Sequence, residues 1–128
     1  MADNVGGCPF CELNVVDVVA ASEFAIAFRD RYPLAEHHTL VIPRRHVASL
    51  FELDANELAD VWALVADVRW SLAKEFGIEA FNVGLNDGVA AGQTVLHAHV
   101  HMIPRTNGDS DDPRGGIRWV IADKARYW

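Results

Sequence analysis

Three histidines alternate with apolar residues in the stretch QTVLHAHVHMIPR, which covers residues 93–105. They are His97, His99 and His101. Successive side chains of a β-strand point to opposite faces, so this spacing predicts a strand whose three imidazoles share one face, about 7 Å apart in succession. The intervening apolar residues turn to the other face and predict a core there. Pro104 cannot donate a backbone hydrogen bond, so it is predicted to end the strand.

Two kinds of chemistry use such a row of imidazoles, and both stay open on the histidines alone. Alternate histidines can bind a zinc ion that activates water. Alternatively, a neutral imidazole can attack phosphorus while its neighbours hold the phosphate oxygens. A chance run of surface histidines is the third possibility. Gln93 and Thr94 favour the phosphorus chemistry, because they offer amide and hydroxyl donors beside a glycine-bounded loop at 88–92.

The stretch GQTVLHAHVHMIPR, residues 92–105, resembles the signature of the histidine triad (HIT) hydrolases. Residues 38–46 (HTLVIPRRH) resemble the second block of that family, and residues 82–88 (NVGLNDG) resemble the strand and turn before the triad. The resemblance covers about residues 8–105 and is similar in detail to the zinc-containing bacterial-type members. It implies an α+β fold, with an antiparallel sheet of about five strands and one long helix across a face. It also implies a homodimer.

The resemblance implies a hydrolase of nucleoside 5′-phosphate derivatives that releases AMP through a covalent nucleotidyl-histidine intermediate. It assigns the attack on phosphorus to His99, and the orientation of this ring to its neighbour His97. The residues that it places around the phosphate are His38, His101, Gln93, Thr94 and Asn86. It implies that no catalytic cofactor is needed. His38 is preferred to the adjacent His37 because His38 stands five residues before Pro43, the spacing that the family motif keeps.

The same resemblance implies a site for the nucleoside. Asp30 is placed at the ribose hydroxyls, where a carboxylate can accept two hydrogen bonds. Phe10 and Phe28 are placed beside the base. From the residues alone, Asp30 is a turn residue after a strand and the phenylalanines are core residues, so these roles depend on the resemblance.

The third histidine separates classes within the wider superfamily. Transferases and phosphorylases carry glutamine at that position, whereas this chain has His101, which favours water as the acceptor. Dinucleoside polyphosphates and adenosine phosphoramidates both stay open as substrates. Two other functions also stay open: a nucleotide-binding regulator or scaffold with little turnover, and a metal-dependent hydrolase that uses the three histidines as ligands.

The two cysteines of the chain, Cys8 and Cys11, form the motif CPFC. This spacing is typical of a redox pair or of half a zinc site. The redox interpretation requires a helix within a parallel βαβ unit, and the sequence predicts none there. The resemblance to zinc-containing relatives implies His46 and His97 as the remaining ligands of a structural zinc ion. The alternative is a pair of reduced thiols with a surface His46.

One long helix and several strands are predicted by periodicity. Asp54 and Glu57 resemble a capping box, and Gly77 is the predicted C-terminal stop about 22 residues later. The apolar stripe of this helix is predicted to be Leu58, Val61, Trp62, Val65, Val68, Leu72 and Phe76. Trp70 lies off the stripe and is interpreted as a contact with a dimer neighbour. Strands are predicted at residues 13–20, 24–30, 38–43 and 80–85; in the second, small alanines opposite the phenylalanines predict close packing against a helix.

Length and composition predict a single HIT-like domain over residues 1–128, with a core at 8–105 and a variable C-terminal tail at 106–128. The net charge of −7 argues against sequence-independent nucleic-acid binding. The sequence has no apolar run that could span a membrane and no secretion signal in residues 1–7, so we expect a cytoplasmic protein. In the tail, residues 106–116 are predicted to be a mobile loop and 117–121 a strand. We expect the tail to line the leaving-group side of the site.

Overall fold

A computed structural model describes residues 5–128 of the chain. The prediction that residues 1–7 lack a secretion signal rests partly on residues 1–4, which lie outside the described residues. Among the helices of residues 5–128, none is both long and apolar enough to cross a membrane.

The described chain forms an antiparallel sheet with one long helix. The elements are β1 (Val18–Ala21), β2 (Ala25–Arg29), β3 (Thr39–Pro43), α1 (Ala55–Phe76), β4 (Ala80–Gly84) and β5 (Val100–Arg105). The strands pair in the order β1-β2-β3-β5-β4, and every pair is antiparallel. The predicted α+β architecture is therefore confirmed. The order places β5, the strand that carries His101, between β3 and β4.

Helix α1 begins and ends where the sequence predicts. The Asp54 carboxylate accepts a hydrogen bond from the Glu57 N–H, and the Glu57 side chain reaches back to the Asp54 N–H. Gly77 ends the helix with φ 69°, a left-handed conformation that glycine adopts without steric cost. The buried residues of the helix are Val61, Leu64, Val65, Val68 and Leu72. The predicted stripe was wrong at Trp62 and Phe76, which are each 42% exposed, and it omitted Leu64.

The two faces of the sheet differ in what covers them. On one face, Ala25 and Ala27 are fully buried in the same cluster as the residues of α1. Their small side chains let the helix approach closely, as predicted. On the other face, Phe28 and Leu40 belong to a second cluster, against which Phe10 packs. No part of α1 belongs to this second cluster, so the second face is available to build a site.

Only His101 of the three histidines lies within β5. The β3–β5 pairing ends at Val41 and Val100, and in the same register Pro43 would face Ala98. Because Pro43 has no N–H, the ladder stops there, and the Ala98 N–H donates instead to the Val47 carbonyl at 2.8 Å. The prediction of one continuous strand through all three histidines was therefore wrong.

Pro104 does not end β5, which continues to Arg105. Beyond Met102, β5 pairs with β4 alone, and its other edge has no partner strand among the described residues. The missing N–H of Pro104 therefore costs no hydrogen bond on that edge. A proline is tolerated at such an edge position. The prediction that Pro104 closes the strand was wrong for this reason.

Both ends of the chain depart from the predicted strands. Residues 13–17 do not join the sheet: Val15–Asp17 is a short 3-10 helix that precedes β1. The tail forms two short 3-10 helices within Gly116–Lys124, separated by a kink at Ile121, instead of a strand at 117–121. The Arg118 guanidinium folds this segment back on itself by donating to the carbonyls of Lys124 and Ala125 at 2.9 Å each.

Loss of the helix cap tests the fold most simply. We expect Asp54→Ala to lower the free energy of unfolding by about 1 kcal/mol, because the Glu57 N–H loses its acceptor. Asp54→Ser, which keeps an acceptor oxygen, should recover most of this loss. Urea unfolding followed by circular dichroism measures both. Equal stability of the alanine and serine variants would contradict the assigned capping role.

Candidate functional site

The histidine row lies on the face of the sheet opposite α1. His97 and His99 are buried and His101 is half-buried. The rings of His99 and His101 are 5.1 Å apart between centroids. The Phe10 ring makes edge-to-face contacts with the rings of His99 and Phe28, with centroid distances of 5.1 Å and 5.3 Å. The structure thus brings Phe10 against His99, the predicted nucleophile, with Phe28 packed against Phe10.

The hydrogen bond of His99 fixes which of its nitrogens carries the proton. Its Nδ1 lies 2.8 Å from the carbonyl oxygen of His97. Because a carbonyl oxygen only accepts hydrogen bonds, Nδ1 must be the protonated nitrogen. In the neutral ring the lone pair is then on Nε2. This arrangement leaves Nε2 of neutral His99 free to act as a nucleophile.

A second chain of hydrogen bonds fixes the neighbouring rings. The backbone N–H of Leu34 donates to Nδ1 of His38 at 3.1 Å, so the proton of neutral His38 is on Nε2. That nitrogen lies 3.0 Å from Nδ1 of His101 and 3.4 Å from the Asp30 carboxylate. With His38 donating, Nδ1 of His101 is the acceptor and its Nε2 carries the proton. His101 can therefore present an N–H donor to an anion.

Four potential metal ligands converge beside this network. The Sγ atoms of Cys8 and Cys11 and the Nδ1 atoms of His46 and His97 all lie within 4.8 Å of one another. Cys11 Sγ is 3.2 Å from His46 Nδ1, and both sulfurs are 3.5 Å from His97 Nδ1. The Nε2–H of His97 donates to the Pro43 carbonyl at 2.8 Å, which leaves Nδ1 as the ligating nitrogen. The structure brings all four predicted ligands together, and they can hold a metal ion.

The comparisons with known proteins agree with this geometry. The HIT domain family matches residues 14–108. The chain belongs to the HIT domain family. An asymmetrical bis(5′-nucleosyl)-tetraphosphatase of Schizosaccharomyces pombe is 43% identical over 88 residues, which are 69% of this chain and 48% of that protein. This HIT protein therefore spans about half the length of that relative.

Two further relatives are similar over more of their own length. The adenosine 5′-monophosphoramidase hnt1 of Schizosaccharomyces pombe is 38% identical over 104 residues, 78% of this chain and 75% of that protein. A Zn-bound histidine triad family protein from Mycobacterium smegmatis has a TM-score of 0.67 at 32% identity, covering 73% of this chain and 68% of that one.

Burial governs the charge state of the site in this HIT protein. It lowers the pKa of His101 to about 4, and the neighbouring His99 and His38 add to the effect. Burial also lowers the pKa of His38, against the opposing pull of the Asp30 carboxylate. It lowers the pKa of His97 as well. These three rings are therefore neutral at pH 7, as the hydrogen-bond network requires.

The Asp30, His38 and His101 group could also be taken for a metal site, because their ligand atoms lie within 4.8 Å of one another. The hydrogen bond from the Leu34 N–H to Nδ1 of His38 argues against a metal site here. It places the proton of His38 on Nε2, the nitrogen that faces the other two residues, and a protonated nitrogen does not bind a metal. The trio works as a hydrogen-bond network.

The predicted phosphate-binding residues lie in different surroundings. Gln93 is buried, and its Nε2 donates to the carbonyls of Ala48 and Val95, while its Oε1 accepts from the Gly88 N–H at 2.9 Å. In this conformation Gln93 shapes the loop, and its contact with a phosphate stays a prediction. Thr94 is exposed at the end of the same loop.

The remaining predicted residues lie near the site or at its edge. Asn86 is half-buried after β4, and its phosphate contact also stays a prediction. Asp30 holds its own loop by accepting from the Tyr32 N–H at 2.8 Å, with its other oxygen toward His38. Ile117 in the tail lies close to Gly84, the residue that pairs with His101 across the sheet. The tail therefore lies near the strand position opposite His101, and its place on the leaving-group side of the site stays a prediction.

Two backbone groups that orient the rings were missed at the sequence level: the carbonyl of Pro43 and the N–H of Leu34. The resemblance had given His97 the role of orienting His99, and the structure has this contact between the His97 carbonyl and Nδ1 of His99. Every residue except proline carries both a backbone N–H and a carbonyl, so residue type gives no signal for such partners. The missing N–H of Pro43 was the one available clue, because it predicts a break in the ladder beside Ala98.

The lowered pKa of His101 predicts acid sensitivity. Between pH 6.5, its ordinary pKa, and about pH 4, the unfolded chain binds a proton that the folded ring does not. The free energy of unfolding should therefore fall as the pH is lowered through this window. In His101→Gln the fall should be shallower by up to about 1.4 kcal/mol per pH unit, the slope of one proton. Urea unfolding at several pH values measures both slopes, and identical slopes would contradict the assigned environment.

Proposed function

We propose that this HIT protein hydrolyses nucleoside 5′-phosphate derivatives at the α-phosphorus and releases AMP through a nucleotidyl-His99 intermediate. The observation that carries the proposal is the hydrogen bond from Nδ1 of His99 to the His97 carbonyl, which leaves the Nε2 lone pair available. An unprotonated imidazole nitrogen is a good nucleophile at neutral pH and a good leaving group once phosphorylated.

The first step of the proposed reaction transfers the nucleotidyl group to the enzyme. The Nε2 lone pair of His99 forms a bond to phosphorus, and the bond from phosphorus to the leaving group breaks with its electron pair. The phosphorylated ring then carries a positive charge while Nδ1 keeps its proton. The His97 carbonyl, 2.8 Å away, stabilises this charge through the existing hydrogen bond. The leaving group takes a proton from water.

The second step regenerates the enzyme. A water molecule attacks the same phosphorus, the bond to Nε2 breaks, and the ring recovers its lone pair while the water loses a proton to solvent. During both steps the phosphate oxygens need hydrogen-bond donors. The Nε2–H of His101, which His38 orients, is proposed as one. Thr94, Asn86 and Gln93 are proposed as the others.

The nucleoside is proposed to lie between the phenylalanines and Asp30. Phe10 and Phe28 form an apolar wall beside His99, and the Asp30 carboxylate lies at the end of β2, next to His38. Stacking on this wall and hydrogen bonds from the ribose hydroxyls to Asp30 would hold the nucleotide with its phosphorus near His99. The relatives named above act on dinucleoside tetraphosphates and on adenosine phosphoramidates, and we propose substrates of these two classes.

The cluster of Cys8, Cys11, His46 and His97 is proposed to hold a structural zinc ion. Two thiolates and two imidazoles form the closed tetrahedral set that zinc prefers, and the Zn-bound relative from Mycobacterium smegmatis supports this assignment. When bound, the ion would supply rigidity by joining the CPFC motif to the histidine row. No cofactor is proposed for the chemical step.

A homodimer is proposed from the surface of α1 and β4. Within the described residues β4 pairs with β5 on one side only, so its other edge can accept a partner strand. Trp70 is 67% exposed and Val83 is 42% exposed. The Arg69 guanidinium lies 5.1 Å from the Trp70 ring and 5.0 Å from the Phe81 ring. Exposed apolar residues of this kind favour a protein contact.

Turnover by wild type and by His99→Asn tests the proposed function. AMP release would be measured from an adenosine phosphoramidate and from diadenosine tetraphosphate, with a zinc chelator present and absent. We expect His99→Asn to lose on the order of 10³-fold or more in kcat/KM, because asparagine fills the space without supplying a nucleophile. We expect wild-type turnover to persist when the chelator is added.

Two results would contradict the proposal. Nucleotide binding without turnover in wild type would indicate a regulator or scaffold. Turnover that the chelator abolishes and added zinc restores, with the fold unchanged by circular dichroism, would indicate a metal-dependent hydrolase.

Metal content tests the zinc proposal separately. We expect elemental analysis of wild type to give about one zinc per chain, and Cys11→Ser or His46→Ala to lose it together with several degrees of Tm. His37→Ala, a matched histidine variant outside the cluster, should keep its zinc. Retention of zinc by both cluster variants would refute the ligand assignment.

A further inference from the structure

His37 has a backbone conformation that is unusual for its residue type. Its φ is 68°, and it is the non-glycine residue with positive φ among the described residues. This conformation crowds the Cβ atom against the backbone, so the surrounding structure must hold it in place. It also points the side chains of His37 and His38 to different parts of the molecule. His37 lies against Phe76 at the end of α1, whereas His38 lies against His101.

The contact between His37 and Phe76 is a close stack. The ring centroids are 3.7 Å apart and the planes are 15° from parallel. The His37 side chain is only 23% exposed although it belongs to a surface loop. Phe76 is the last residue of α1, and its position is fixed by the helix and its Gly77 cap. The stack therefore attaches the 30–38 loop to a rigid part of the fold.

The same loop supplies the hydrogen bonds that orient His38. The Leu34 N–H donates to its Nδ1 at 3.1 Å. The His38 N–H donates to the Ala35 carbonyl, and its carbonyl accepts from the Asp30 N–H at 2.9 Å. A shift of the loop would move these partners together. The direction of the His38 Nε2–H toward His101 depends on the loop conformation.

His37 also connects the loop to the start of β3 through its carbonyl. The carbonyl of His37 accepts a hydrogen bond from the Thr39 hydroxyl at 2.8 Å, and the Arg29 guanidinium donates to that hydroxyl at 2.6 Å. His37 is thus fixed by its ring on one side and by its carbonyl on the other. The backbone between these two points carries His38.

We propose that His37 is a positioning residue for the histidine network. Its stack on Phe76 fixes the left-handed turn, the turn fixes the ring of His38, and His38 holds His101 with its Nε2–H toward the substrate phosphate. His37 touches neither the substrate nor the reacting atoms. The catalytic consequence rests on the proposed function, whereas the effect on the His38–His101 hydrogen bond does not.

Four variants distinguish the effect of the His37 ring stack from the effect of its backbone conformation. His37→Gly accepts the positive φ but removes the stack, and Phe76→Ala removes the stack while leaving His37 in place. Phe76→Tyr keeps the stacked ring. Phe51→Ala is the matched control, because Phe51 is an exposed phenylalanine outside the loop. Circular dichroism establishes that each variant is folded before comparison.

The first readout is the imidazole NMR of His38, labelled with ¹⁵N. In wild type we expect a protected Nε2–H signal and an unprotonated Nδ1. In His37→Gly and Phe76→Ala we expect the Nε2–H to exchange with solvent at least tenfold faster, while Phe76→Tyr and Phe51→Ala behave as wild type. The second readout is kinetic: kcat should fall about tenfold with KM changed less than twofold, because the lost alignment matters most in the transition state.

Two outcomes would overturn the proposal. One is wild-type exchange at His38 in both His37→Gly and Phe76→Ala, whatever happens to Tm, since the stack would then be structural only. The other is an equal loss in Phe76→Tyr, since the stacked ring would then not be the cause. If wild type shows no turnover, the proposed function fails, and the exchange measurement still decides the role of His37.

Discussion

The imidazole and backbone of His97 connect the two halves of the site. Its Nε2–H is held by the Pro43 carbonyl, and its Nδ1 faces the sulfurs of Cys8 and Cys11. Its own carbonyl accepts from Nδ1 of His99. One residue therefore contacts the two cysteines of the candidate metal site and fixes the proton position of His99, the proposed nucleophile. A displacement of His97 would therefore disturb both sets of contacts.

The elements governed by local chemistry were predictable from the sequence. The capping box of Asp54 and Glu57, the terminal Gly77 and the helical period predicted α1, and residue patterns predicted most of the strands. The arrangement of those strands in one antiparallel sheet was implied by the resemblance. The spacing of Cys8 and Cys11 indicated half of a metal site, and the alternation placed His97 and His101 beside His99. The assignment of His46 to the metal site, and of Phe10 and His38 to the surroundings of the triad, came from the resemblance, because residues distant in sequence carry no local signal. The fold of residues 106–124 was not predictable from the sequence. It depends on hydrogen bonds from arginines such as Arg105 and Arg118, and many acceptors are available to an arginine side chain.

Pro43 and the positive φ of His37 account for two departures from regular backbone structure beside the site. Pro43 interrupts the β3–β5 ladder, so its carbonyl can serve the ring of His97, and the segment at 97–99 leaves the regular strand. His37 reverses the chain just before β3, so two adjacent histidines serve different parts of the molecule. Both departures from regular structure lie beside the site. At Pro43 the break in the ladder leaves a carbonyl that accepts from the ring of His97, and at His37 the positive φ separates its ring from that of His38.

Detection of the covalent intermediate tests the central claim most directly. Wild-type protein would be mixed with an adenosine phosphoramidate, quenched within milliseconds under alkaline denaturing conditions, and measured by intact-protein and peptide mass spectrometry. The account predicts a transient adduct of one adenylyl group per chain, located on His99 and bonded through Nε2. Turnover without an adduct on His99, or an adduct on another residue such as His101, would contradict it.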